Sequence, residues 1–274
     1  MTIRTALAQG TELLQREGIV EPRLTAEVLL GHAVHCERVY FYAHPERELR
    51  EVEWIHYGRY LDERMRGKPT QYITRRQEFY GREFRVSCDV LIPRPETELL
   101  VEAVLDLKPA PGVLIDVGTG SGAIAVTLAL ELGRPVIATD LSSEALVVAR
   151  ENTLRLGADV QFVEADLFKP FGDNSADIVV SNPPYVPLSE RGTLQREVRD
   201  WEPSLALYGG SSGLCIYERL IPEARRVLKP GGLLAVEIGF GQAQAVTELA
   251  RGWNELRLIP DLAGIQRVLV CRKP

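Results

Sequence analysis

The stretch "SNPPYVP" at residues 181–187 places hydrogen-bond acceptors directly after "ADIVV", which reads as a buried strand. Asn182 offers a side-chain carbonyl, and Pro183 offers a backbone carbonyl. Because proline lacks an N–H and fixes its φ angle, Pro183 and Pro184 hold these acceptors in one geometry. The ring of Tyr185 can then cover a flat group. The stretch predicts a receptor for a planar –NH2 group, either a carboxamide or the amine of a nucleobase.

Such a nitrogen is a poor nucleophile because its lone pair is delocalised. Two acceptors on its N–H bonds let the lone pair localise toward a methyl donor, and in-line placement of the methyl carbon adds orientation. We therefore predict that transfer needs no general base, and that residues 182–185 are both catalytic and substrate-binding. The alternative interpretation is a Pro-Pro pair that merely ends a strand.

A glycine-rich turn, "DVGTGSG", follows an earlier strand and precedes a helix, so bare backbone can approach a ligand at a helix N-terminus. The spacing is G-x-G-x-G rather than the G-x-G-x-x-G of dinucleotide sites, and an acidic residue precedes the glycines. That charge disfavours a pyrophosphate and favours a cationic sulfonium, which points to S-adenosyl-L-methionine rather than NAD. A turn that serves only tight packing is the alternative. The predicted cofactor residues of the turn are Asp116, Gly118, Thr119, Gly120, Ser121 and Gly122.

Acidic residues at the ends of the next two strands complete the predicted nucleoside site. Asp140 ends "VIATD", where a carboxylate can accept both hydroxyls of a ribose, and Leu141 follows it. Asp166 ends the third strand and can accept from an adenine amino group, while Leu167 and Phe168 flank the ring. A helix cap or turn residue is the alternative for Asp166. Asn182 is also expected to contact the cofactor.

The elements that must position these residues are readable from periodicity. From residue 113 onward, short apolar runs alternate with helical patterns such as "AIAVTLALEL" and "SEALVVARENTLRL". This alternation predicts a Rossmann-like, doubly wound and mostly parallel sheet. Residues 1–75 read as a small helical bundle, residues 76–95 as a β-hairpin and linker, and residues 96–274 as the catalytic domain.

Composition narrows the functional class. The chain has 274 residues and a net charge of −6, yet residues 1–80 carry 12 basic and 12 acidic side chains, so the acidic excess lies in the catalytic part. Because binding of a nucleic-acid duplex relies on basic surfaces, this distribution disfavours nucleic acid as partner, although an Arg-rich stretch at 59–76 keeps that alternative open. The four cysteines are far apart and predict neither a disulfide framework nor a metal site. No membrane span or secretory signal is evident, which predicts a cytoplasmic protein.

Six motifs, in order after the helical region, resemble those of the release-factor glutamine methyltransferases, the PrmC or HemK family. They are "LIPRPETELLV", "DVGTGSGAIA", "SNPPYV", "WEPSLAL", "LKPGG" and "DLAGIQRV". The element "PRPETE" is the most specific of them. Ser212 and Gln266 depart from the family pattern, since Asp is usual at both positions.

The resemblance implies transfer of a methyl group from S-adenosyl-L-methionine, with S-adenosyl-L-homocysteine as product. The acceptor would be the side-chain amide nitrogen (N5) of the glutamine in the Gly-Gly-Gln motif of bacterial class-1 peptide chain release factors. Two alternatives remain: a glutamine methyltransferase acting on a ribosomal protein, and an amino-directed DNA or RNA methyltransferase. The former would differ mainly in its N-terminal domain.

Overall fold

The computed structural model describes all 274 residues, which form two compact units. The first unit comprises residues 1–76 and 195–201, and the second comprises residues 77–194 and 202–274. The hairpin at residues 76–85 thus falls almost wholly in the second unit. The short segment 195–201 leaves the second unit and joins the first, which no pattern in the sequence predicted.

The first unit is helical and has its own apolar core. Buried Leu7, Leu29, Leu30 and Tyr57 lie in this core, contributed by three helices. Arg64 from one helix pairs with Glu197 of the inserted segment. The helices of this unit are α1 (Ile3–Arg16), α2 (Pro22–Val34), α3 (Arg38–Ala43), α4 (Glu51–Met65) and α5 (Thr70–Thr74), with α9 (Arg196–Trp201) as the inserted segment.

The second unit contains a two-stranded hairpin and a seven-stranded sheet with helices on both sides. The hairpin is β1 (Arg76–Phe79) and β2 (Arg82–Arg85). The sheet strands are β3 (Leu114–Val117), β4 (Val136–Asp140), β5 (Val160–Glu164), β6 (Ala176–Ser181), β7 (Leu228–Glu237), β8 (Asn254–Pro260) and β9 (Gln266–Arg272). The helices are α6 (Glu98–Asp106), α7 (Ala123–Leu132), α8 (Ser143–Leu156), α10 (Ser204–Leu207), α11 (Cys215–Val227) and α12 (Ala243–Leu249).

The strand order of the sheet is β5-β4-β3-β6-β7-β9-β8. Strands β3 to β7 pair in parallel, and β9 is antiparallel to both of its neighbours. Side chains that alternate along a strand enter different cores: Leu114 packs with α6 and α7, whereas Ile115 packs with α11 and α12. The predicted doubly wound, mostly parallel sheet is therefore confirmed.

The topology brings the predicted site residues to one edge of the sheet. Because β3 lies between β4 and β6, the loops that follow these three strands emerge side by side. The strand order reverses between β3 and β6, and ligands of open α/β sheets bind at such reversal points. None of the helices is both long enough and apolar enough to span a bilayer.

Candidate active site

A cavity of about 360 Å³ opens at this edge of the sheet. Its walls come from the loops after β3, β4, β5 and β6, together with the loop before α6 and the segment around α10. Ten of the sequence-predicted residues line it: Gly118, Thr119, Gly120, Ser121, Asp140, Leu141, Asp166, Leu167, Asn182 and Pro184. The structure thus brings the glycine turn and the "NPPY" stretch to a single cavity.

The glycine turn is held against β4 by backbone hydrogen bonds. The N–H groups of Gly118 and Thr119 both donate to the carbonyl of Thr139, at 2.8 and 2.9 Å. Gly118 and Gly120 have φ angles of +74° and +54°, and a Cβ added at either would meet no atom within 4 Å. Gly122 instead packs tightly, since its Cβ would lie 3.2 Å from Ala149. The first two glycines leave open space along the cavity wall, and the third allows α7 and α8 to approach.

Asp140 closes one side of the turn. Its Oδ2 accepts from the N–H of Gly120 at 2.8 Å, and its Oδ1 accepts from the N–H of Ser142 at 2.9 Å. Burial raises its pKa, and these backbone hydrogen bonds oppose the rise. Each carboxylate oxygen can accept a second hydrogen bond. The side chain can therefore take a pair of vicinal hydroxyls from a ligand in the cavity while it fixes the turn.

Asp116 lies beneath the turn, fully buried and outside the cavity lining. Its Oδ2 accepts from the Thr119 hydroxyl at 2.6 Å, whereas its Oδ1 has no hydrogen-bond partner. The backbone N–H of Ala125 lies near the carboxyl and lowers its pKa. Burial raises the pKa of Asp116 to about 7, and the bond from Thr119 opposes part of that rise. A cation bound above the turn would favour the charged form of this carboxylate.

Of the three residues predicted to surround an adenine ring, two line the cavity. Asp166 and Leu167 line the cavity, but both carboxylate oxygens of Asp166 accept from Arg219, at 2.7 and 2.8 Å. Hydrogen bonds from Lys169 and Arg219 lower the pKa of Asp166. The prediction for Phe168 is wrong, because its ring is completely buried in the core on the α11 side of the sheet. A local pattern does not reveal which side of the chain faces a core.

Asn182 is held by a chain of two further residues that no motif had assigned to the site, and the first of them, Thr97, also lines the cavity. Its Nδ2 donates to Thr97 Oγ1 at 3.1 Å, and Thr97 Oγ1 donates to Glu237 Oε2 at 2.6 Å. Thr97 belongs to "PRPETE", and Glu237 ends β7. The sequence signal for Glu237 is a carboxylate that closes the apolar run "LLAVE".

The other two members of "NPPY" do not line the cavity. Pro183 is buried. Tyr185 is half-buried. Its ring packs close to Gly239, where an added Cβ would lie 2.9 Å from the ring, and its hydroxyl donates to Glu237 Oε1 at 3.3 Å. Burial and the nearby Glu237 carboxylate both raise the pKa of Tyr185, so the phenol stays protonated. The hydrogen bond to Glu237 ties the Tyr185 ring, and with it the loop after β6, to the end of β7.

A buried glutamate ties two of the sequence motifs together. Glu202, in "WEPSLAL", accepts from the guanidinium of Arg94 through Oε1 and from the N–H of Ile92 through Oε2. Arg94 also lines the cavity. A side chain that is 1% exposed and pairs with a cation is a stable arrangement for a carboxylate in a protein interior. This contact holds the "PRPETE" loop and the segment before α10 at the cavity.

Comparison with known proteins agrees with this geometry. Residues 5–74 match the family described as PrmC N-terminal domain, and residues 95–197 match the Methyltransferase small domain. A release factor glutamine methyltransferase of Koribacter versatilis is 47% identical, with 100% of this chain and 99% of the relative covered. Another, of Moorella thermoacetica, is 46% identical over 97% of each chain.

The chain belongs to the release factor glutamine methyltransferase family. A third relative with the same name, from Geobacter sulfurreducens, is 40% identical over 98% of this chain and 95% of its own. The protein is therefore an enzyme, a methyltransferase, and the resemblance drawn from the motifs is confirmed.

Solved structures show the same fold at low sequence identity. A methyltransferase from Pyrococcus furiosus has a TM-score of 0.54 at 20% identity, covering 71% of this chain and 90% of its own. A 16S rRNA methyltransferase of T. thermophilus, solved with AdoMet and guanosine, has a TM-score of 0.53 at 17% identity, covering 73% of this chain and 50% of its own. These likenesses establish the methyltransferase fold of the second unit.

Proposed function

We propose that this enzyme transfers a methyl group from S-adenosyl-L-methionine to the side-chain amide nitrogen of the glutamine in the Gly-Gly-Gln motif of bacterial class-1 release factors. The observation that carries the proposal is the single cavity shared by the glycine turn and Asn182. The names of the relatives, which state release factor glutamine as substrate, support the choice of acceptor.

The residues around the turn fit S-adenosyl-L-methionine. Open space faces Gly118 and Gly120, and Asp140 retains acceptor capacity for ribose hydroxyls. The buried carboxyl of Asp116 lies below the turn, and a bound sulfonium would favour its charged form. When bound there, the cofactor supplies an electrophilic methyl group on a positively charged sulfur. The protein's part is to hold that group at a fixed distance from the acceptor nitrogen.

The amide of the substrate is gripped by acceptors of the chain. With its Nδ2 bonded to Thr97, Asn182 presents its carbonyl Oδ1 to the cavity. We assign the second acceptor to the backbone of the Pro183–Pro184 pair, of which Pro184 lines the cavity. Apolar side chains of Pro203 and Leu205 line the same cavity and limit water around the amide. Hydrogen bonds from the –NH2 group then strengthen as its lone pair becomes available for attack.

A labelling experiment tests the acceptor. The enzyme is incubated with methyl-labelled S-adenosyl-L-methionine and, in parallel, with a class-1 release factor, a Gly-Gly-Gln peptide, a matched Gly-Gly-Glu peptide, ribosomal proteins and oligonucleotides. We expect label on the release factor and on the Gly-Gly-Gln peptide alone, located by mass spectrometry on the glutamine. Preferential labelling of a ribosomal protein or of an oligonucleotide would replace this assignment with the corresponding alternative.

The cofactor site is tested by a pair of glycine substitutions. Gly120→Ala places a methyl group in the open space of the cavity, so we expect S-adenosyl-L-methionine to bind at least about tenfold more weakly. Forcing alanine into a positive φ costs roughly 1–2 kcal/mol. Gly133→Ala is the control, because Gly133 has a similar φ of +61° and open space but lies at the C-terminus of α7.

Calorimetric titration and thermal melts separate the two effects. Both variants should lose similar stability, and only Gly120→Ala should lose affinity. Equal cofactor affinity in the two variants would remove Gly120 from the cofactor site.

A further inference from the structure

The chain of hydrogen bonds behind Asn182 crosses three motifs that are distant in sequence. Thr97 stands 85 residues before Asn182 and 140 residues before Glu237. We propose that Thr97 and Glu237 are positioning residues that fix the orientation of the Asn182 side-chain amide, and so make the site select an –NH2 donor. This inference rests on the proposed function, because it concerns the same amide grip.

The direction of each hydrogen bond follows from the groups involved. A threonine hydroxyl has one proton. When Glu237 is ionised, that proton is donated to Glu237 Oε2 at 2.6 Å, so Thr97 Oγ1 can only accept from Asn182. If the amide were turned over, its Oδ1 would face an oxygen with no proton to offer. The amide therefore keeps Nδ2 on Thr97, and Oδ1 remains for the cavity.

The Thr97 hydroxyl does not cap the helix that follows it. Thr97 occupies the N-cap position of α6, where a threonine side chain usually accepts from the first turn of the helix. Here it makes no capping bond, and its hydroxyl is engaged by Glu237 instead. Helix capping is therefore not what requires the hydroxyl group.

Glu237 is a buried side chain that accepts two hydrogen bonds. Its side chain is 2% exposed and receives hydrogen bonds from both Thr97 and Tyr185. Burial raises the pKa of Glu237 to about 7, while the bonds from Thr97 and Tyr185 and the charge of Arg267 oppose that rise. Arg267 itself is fixed by Asp261 at 2.9 Å in the motif "DLAGIQRV". A buried carboxylate is costly, so an apolar residue would serve better here if only packing were needed.

The orientation of the Asn182 amide determines which substrate side chain the site accepts. A substrate carboxamide offers two N–H donors to the Asn182 carbonyl and its neighbouring backbone acceptor. A glutamate in its place would set an anionic oxygen against these acceptors and leave them without donors. The orientation imposed through Thr97 therefore explains how the cavity distinguishes glutamine from glutamate at nearly equal size.

The test compares Thr97→Val with Thr97→Ser. Valine keeps the shape and removes the hydroxyl, whereas serine keeps the hydroxyl. We expect Thr97→Val to lower kcat on a Gly-Gly-Gln peptide by roughly 10- to 100-fold, the range seen when an outer partner that orients a functional side chain is lost. The Kd of S-adenosyl-L-methionine should stay unchanged, and Thr97→Ser should retain most of the wild-type kcat.

A double-substitution cycle separates positioning from general support of the fold. In an Asn182→Ala background, Thr97→Val should change kcat by less than about twofold, because the side chain on which it acts is gone. Additive losses would overturn the inference, as would wild-type kcat in Thr97→Val. Absence of turnover in the wild-type enzyme would overturn the proposed function and this inference with it.

A measurement on the unmodified enzyme covers the case in which Thr97→Val does not fold. The Asn182 Nδ2 protons, assigned by ¹⁵N NMR through their absence in Asn182→Ala, should exchange with solvent more slowly than those of exposed Asn254. Exchange as fast as that of Asn254 would mean that no Thr97 bond holds the amide.

Discussion

Asn182→Ala is expected to lower kcat for methylation of the release factor by roughly 10²- to 10³-fold, the loss typical of removing one preorganised hydrogen-bonding group. The hydrogen bond from the substrate amide to Asn182 strengthens as the nitrogen lone pair loses its delocalisation, so kcat should fall more than KM rises. Single-turnover rates with labelled S-adenosyl-L-methionine provide the measurement. Asn254→Ala, on exposed β8, is a matched control that should leave both constants unchanged.

Asn182→Asp sharpens this test. It keeps an acceptor of nearly the same shape but adds a negative charge beside the sulfonium. Because the positive charge of the sulfur disappears during transfer, that added charge favours the bound cofactor over the transition state. We expect cofactor affinity to be preserved or raised and turnover to fall. Wild-type turnover in folded Asn182→Ala would mean that the "NPPY" stretch only ends a strand.

Asp140→Ala is expected to weaken binding of S-adenosyl-L-methionine by about 1–3 kcal/mol, through loss of charge-assisted contacts to the ribose hydroxyls. The variant also frees the N–H groups of Gly120 and Ser142, which Asp140 now holds, so the turn itself loses order. Isothermal titration calorimetry measures the affinity, and circular dichroism checks the fold. Asp159→Ala, an exposed acidic residue before β5, is the control for removal of one charge.

Two outcomes would contradict the assignment of Asp140 to the cofactor site. If folded Asp140→Ala binds the cofactor as tightly as the wild-type enzyme does, Asp140 takes no part in the site. Should affinity fall equally in Asp159→Ala, the effect reflects net charge alone and not a contact with the ribose.

Local sequence determined the elements that carry the site. The helices predicted at "AIAVTLALEL" and "SEALVVARENTLRL" coincide with α7 and α8, and the strand "ADIVVS" coincides with β6. Each boundary has a local cause: Ser142 caps α8 by accepting from the N–H of Ala145, and Gly157 ends it in a left-handed conformation. Periodicity and end residues are properties of neighbouring positions, so they can be read without the fold.

Sequence also placed the glycine turn and Asn182 at strand ends, and parallel pairing brought these ends together. The sequence did not determine which side chains pack around the glycine turn and Asn182. The side chain of Phe168 was predicted to flank a ligand but is buried, because the face that a residue turns to the core depends on how the following helices pack.

The partners of Asn182 were decided by the tertiary structure alone. Thr97 and Glu237 are 140 residues apart, and Arg94 reaches Glu202 across 108 residues. These contacts exist because β7 lies beside β6, and because the loop before α6 lies over the same sheet edge. A hydrogen bond requires its two atoms within about 3 Å. Such proximity between distant positions follows from strand order and helix packing, which no local pattern of residues encodes.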